Sequence, residues 1–104
     1  MASKEYLKLL EDMASLHQRK SAGYVGSNPD VWSNFRECAD FGIDPIDGII
    51  TRMSDKWSRL KSLFKNPSND QVNESIEDTL MDLSAYSLIL ICMLREEKLI
   101  DKTT

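Results

Sequence analysis

The chain is poor in the residues that most enzyme chemistry needs. It has one histidine, His17, and two cysteines, Cys38 and Cys92, which form no CxxC or Cys/His pattern. Zinc centres and Ser/His/Asp or Cys/His nucleophile sets are therefore poorly supported. Its four glycines build no phosphate-cradling P-loop. The cysteines read as small buried hydrophobes of a reducing compartment. The longest apolar run, Leu88 to Leu94, is far short of the ~20 residues of a membrane span. The opening MASKEYLKLLEDM carries charges where a signal peptide would have its apolar stretch. A net charge of −4 gives no general pull toward nucleic acid or an anionic membrane. These absences point to a cytoplasmic protein without a membrane or nucleic-acid partner.

What is present is helical. At 104 residues, with 41% hydrophobic and 29% charged, the chain has room for one core and therefore one domain, residues 1–104. A first helix is expected from Lys4 to about Arg19, with Tyr6, Leu9, Leu10, Met13 and Leu16 at helical spacing and Ser3 as cap. The stretch KSAGYVGSNPD reads as the main loop. Asn28 and Pro29 read as the start of a short helix reaching Asp40, and Asp44 with Pro45 repeat that signal. The third helix carries Ile46, Ile49, Ile50, Met53, Trp57, Leu60 and Phe64 on one stripe and stops at KNPSND. The fourth begins near Asp70 or Asn73 and runs to Lys98, apolar nearly all round after Thr79. Such a helix is usually surrounded on all sides, and three companions barely suffice. The expectation is an all-α four-helix bundle that forms a homo-oligomer, a dimer or tetramer.

Two charge patterns stand out. Glu74, Asp78 and Asp82 are spaced by four, so they form a ladder on the fourth helix, with Glu77 on its flank. Acids near a helix start offset the macrodipole, which accounts for Glu74 and Glu77 but not for Asp82. The sharper reading is a hard-cation site that bridges to a phosphate. On the third helix Arg52, Lys56 and Arg59 share a stripe, with Asp55 beside them; the bland reading is a solvated face. If the two helices pack antiparallel, basic stripe and acidic ladder meet, and the cations become phosphate ligands. Lys20 and Tyr24 join the candidates from the loop, the Tyr ring as a base-stacking surface or as a simple anchor. His17, at the edge of the first helix's apolar face, reads as structural.

ITRMSDKWSRLKSLF, a polar loop, and NESIEDTLMDLSAYSLI together resemble the nucleotide-modification-associated domain of many phage proteins. That domain is a branch of the all-α NTP pyrophosphatase superfamily, the MazG-like and dimeric dUTPase-like proteins. RKSAGYVG and NFRECADFGI are similar to its K-x-x-D-Y-G loop and following helix. The resemblance implies protomers that pair, a nucleotide ligand, and Mg²⁺ held by acids on successive helices. In enzymatic members a nucleoside triphosphate becomes monophosphate and pyrophosphate. Here it implies Mg²⁺ on Glu74, Asp78, Asp82 and Asp55, with Glu77 positioning the attacking water. Arg52 stands where the first motif has an acid, and Ser75 replaces an acid of the second; Glu77, Asp82 or Glu37 are the available substitutes. A second reading is therefore a phage protein that sequesters a nucleotide-derived signal of host immunity, of cyclic nucleotide or ADP-ribose type, without chemistry. A third is a helical interaction protein whose charges only solvate its surface.

Overall fold

The computed structural model describes residues 1–66 and 75–99. Over these the chain forms α1 (Lys4–Tyr24), α2 (Ser33–Arg36), a 3₁₀ turn over Glu37–Phe41, α3 (Pro45–Lys65) and α4 (Ile76–Glu96). No strand occurs among the described residues, so the all-α expectation holds at the level of class.

Local chemistry explains the starts. The Ser3 side chain accepts the Tyr6 N–H at 3.2 Å, Asp44 accepts the Ile46 N–H at 2.8 Å with Pro45 in the first position, and Ser75 accepts the Asp78 N–H at 3.0 Å. Each cap satisfies a donor that the helix itself cannot, worth about 1 kcal/mol. The expected starts of α4 at Asp70 or Asn73 lie outside the described residues. Its end comes at Glu96 rather than Lys98, which takes a positive φ of 59° and so cannot continue the helix.

Two expected boundaries are corrected. α1 does not stop at Arg19 but runs on to Tyr24, so Lys20 and Tyr24 are helical and not in a loop. One interior Gly23 costs a helix only ~1 kcal/mol. The break comes instead at Gly26, whose φ of 60° ends the helix, with its N–H and that of Val25 both bonded to the Ser21 carbonyl. Asn28 and Pro29 do not open a helix. Asn28 accepts the N–H of Asp30 and Asp30 accepts that of Trp32, two successive side-chain turns that delay helix until Ser33. The segment then tightens into 3₁₀ form and ends at Gly42, with φ 79°.

α3 and α4 pack on one another as an antiparallel hairpin. Ile49, Ile89, Met93 and Trp32 form the core, with Phe35, Met53 and Tyr86 against it. Leu60, Leu63 and Thr79 are buried farther along the hairpin, and the Thr79 hydroxyl donates to the Ser75 carbonyl at 3.0 Å, so its burial leaves no donor unmet. The core stops there. α1 contributes no buried residue at all. The radius of gyration is 15.5 Å, against about 13 Å for a compact chain of this length. The cysteines depart from expectation too: Cys38 is half-buried and Cys92 is exposed.

Candidate functional site

Two features remain once the core is accounted for: a cavity lined mainly by apolar and aromatic side chains, with a few charged groups, and a set of exposed apolar side chains on α3. At 100° per residue, Arg52 and Arg59 lie roughly 70–90° to one side of the buried Ile49–Leu60 line. Ile50, Trp57 and Phe64 lie a similar angle to the other side.

The cavity, about 360 Å³, is enclosed by α1, α2, α3 and α4. Its wall is a chain of aromatic rings. His17 stands 5.8 Å from Trp32, Trp32 stands 6.4 Å from Phe35, and Phe35 meets Tyr86 edge-on at 6.3 Å. The Arg52 guanidinium lies over the Phe35 ring at 4.8 Å, a cation–π contact. Lys20, Tyr24 and Asp82 complete the lining. His17, exposed on α1, lines the cavity and packs against the Trp32 ring.

The expected ligand sets assemble only in part. Asp82 receives Lys56 Nζ at 2.7 Å and faces Lys20 Nζ at 3.8 Å. Stripe and ladder do meet across the hairpin, but as an ion pair between the two helices. Asp78, Asp82 and Glu77 border a shallow groove against Arg19 and Lys20 of α1. Asp55 is exposed and lines neither the cavity nor the groove. Glu74 lies outside the described residues. Among the described residues no group of three or more His, Cys, Asp or Glu side chains is placed to hold a metal ion.

A clasp escaped sequence reasoning. Trp32 Nε1 donates to Glu96 at 2.9 Å, and Arg36 reaches Asp30 at 2.9 Å, Glu96 at 3.1 Å and Glu97 at 3.7 Å. It ties α2 to the last turn of α4. No local pattern announces it, because its partners are about sixty positions apart.

Ile43, Ile50, Trp57 and Phe64 follow one another at spacings of seven, and all are exposed; Trp57 is 57% and Phe64 63% accessible. On α4, Leu80 is 44% accessible, Leu83 and Leu94 are half-buried, and Leu90 packs against the core. No other described element covers this face. Contiguous apolar surface of this kind marks an interaction site more often than a free surface.

Among characterised proteins, the chain is similar to the protein translocase subunit SecE of Sulfolobus acidocaldarius. The two are 39% identical over 49 residues, which is 47% of this chain and 75% of that protein. No protein-family model and no solved structure matches. The likeness to a subunit named for protein translocation overturns the expectation of a nucleotide ligand, and with it both the pyrophosphatase and the signal-sequestering readings and their phage-defence setting. The expectations of a cytoplasmic location and of no membrane partner are withdrawn on the same finding. No helix among the described residues is long and apolar enough to cross a membrane.

Proposed function

We propose, for a chain that belongs to the SecE family by that likeness over 49 residues, that it works as a helical subunit, acting through what it packs against. The observation that carries this is the outer face of the α3–α4 hairpin. Ile50, Trp57, Phe64 and Leu80 lie open on helices whose other faces make the core. Leaving large apolar side chains in water forfeits ~1.5–3 kcal/mol each relative to full burial. A domain this small has little stability to spare.

The relative's printed name calls it a subunit, which supports a role inside an assembly. On this reading the Lys56–Asp82 pair and the Trp32–Arg36–Glu96 clasp hold the hairpin and α2 in a fixed shape.

Native mass spectrometry of the full chain purified under mild conditions tests the proposal. Particles heavier than the 11.9 kDa chain are expected. A folded monomer whose stability is unchanged or raised by Trp57→Glu refutes it, because the face then has no apolar partner.

A further inference from the structure

We propose that the cavity between α1 and the α3–α4 hairpin is a binding site for a small aromatic carboxylate, a flat ring system that carries a single acid group. The packing role proposed above does not use this cavity, so the two readings stand or fall separately.

The lining decides the body of the ligand. The cavity, about 360 Å³, is at the small end of the range for ligand pockets. Trp32, Phe35 and Tyr86 form a continuous run of rings along it, with 6.4 Å and 6.3 Å between neighbouring centroids. Met13, Leu16 and Ile89 add apolar surface. A flat ring placed here can stack offset or edge-on against the wall, a contact that an aliphatic chain cannot make.

Charge decides the head group. Arg52 stands over the Phe35 ring at 4.8 Å, and no carboxylate among the described residues is bonded to it. Its guanidinium keeps a fork of N–H donors for a planar acid. Lys20 is the second cation of the lining. Of the two lining acids, Asp82 is already met by Lys56 Nζ at 2.7 Å and Lys20 Nζ at 3.8 Å. The other, Glu37, is exposed on the 3₁₀ turn. Lys20, Arg52 and Lys56 against Glu37 and Asp82 leave one positive charge, which one carboxylate matches.

Other ligand classes fit less well. A phosphate ester or a chain of phosphates would set further negative charge against Glu37 and Asp82. A cationic ligand would find Arg52 already over the Phe35 ring, where an ammonium would otherwise sit, and Asp82 already taken by lysines.

The test titrates 2-naphthoate into the full chain by calorimetry and locates it by amide chemical shifts. One site per chain is expected, with shifts centred on Phe35, Arg52 and Tyr86. Binding should be about tenfold tighter than that of neutral 2-naphthamide, and tighter than that of cyclohexanecarboxylate or 2-naphthylmethylammonium. Arg52→Gln should weaken naphthoate about tenfold and leave naphthamide nearly unchanged, while Arg52→Lys, which keeps the charge and loses the fork, should cost about threefold. Glu37→Gln should tighten naphthoate about two- to threefold. Arg52 and Glu37 are both exposed, so the fold should survive, and an unchanged thermal melt checks this. No binding at millimolar naphthoate, equal binding of naphthamide, or full affinity in Arg52→Gln overturns the proposal. So do shifts confined to Trp57 and Phe64, which would put the probe on the exposed apolar side chains instead. Tighter binding of adenosine monophosphate than of naphthoate overturns it too, because the cations would then be holding a phosphate.

Discussion

Gly48 lies in the first turn of α3, facing the thiol of Cys38. A Cβ built there would come within 2.8 Å of Cys38 Sγ, closer than side chains tolerate. Gly48→Ala sets two effects against each other. Replacing a helical glycine gains about 1 kcal/mol in backbone terms. Forcing a methyl against the sulfur costs about 1–3 kcal/mol, since the 3₁₀ turn that holds Cys38 must shift. The clash wins, and a net loss of about 1 kcal/mol is expected. Cys38→Ala removes the obstruction, together with a weak contact from Sγ to the Phe35 carbonyl at 3.5 Å. In that background Gly48→Ala should stabilise by about 1 kcal/mol, so the cycle shows a coupling of about 2 kcal/mol. Urea unfolding followed by circular dichroism, at one fixed protein concentration, measures all four variants. If Gly48→Ala stabilises the parent as much as it stabilises the Cys38→Ala variant, the close approach of α3 to the 3₁₀ turn is wrong.

Other substitutions probe the rest of the fold. Ser75→Ala removes the α4 cap bond to the Asp78 N–H and should cost about 1 kcal/mol in thermal unfolding; a neutral result would place the helix start elsewhere. Asp82→Ala leaves Lys56 half-buried beside the hairpin and should cost about 1–2 kcal/mol, whereas Asp78→Ala, at an exposed side chain, should stay within ~0.5 kcal/mol. Equal losses would argue against the inter-helix pair. Glu96→Ala breaks the bond to Trp32 Nε1 and one of the Arg36 contacts. It should shift Trp32 emission and cost about 1–2 kcal/mol, while Glu96→Gln, which keeps an acceptor for the indole, should cost less.

The two charge patterns show how far spacing reaches. Arg52, Lys56 and Arg59 share a helix side because of a 3.6-residue period, and the structure keeps them there. Which partner each takes depends on side-chain reach across the hairpin. Lys56 meets Asp82, while Arg52 turns to the Phe35 ring. A ladder of acids on one helix carries no information about the cations opposite. The reading of Asp82 as a metal ligand had no way to see Lys56 at 2.7 Å. The cap at Ser75 was legible in principle, as a Ser three residues before Asp78, but the acids beside it drew the reading toward chemistry.

Sequence alone determined the helical class, the start of α1 at Ser3 and the start of α3 at Asp44–Pro45. These follow from local geometry: caps, fixed proline φ and residue periodicity act within a few positions. Only the tertiary structure decided that no residue of α1 is fully buried, that Asp82 is held by Lys56, and that Trp32 is clasped by Glu96. Those outcomes turn on how two helices are rotated about their own axes when they pack, and that rotation is set by side chains dozens of positions apart.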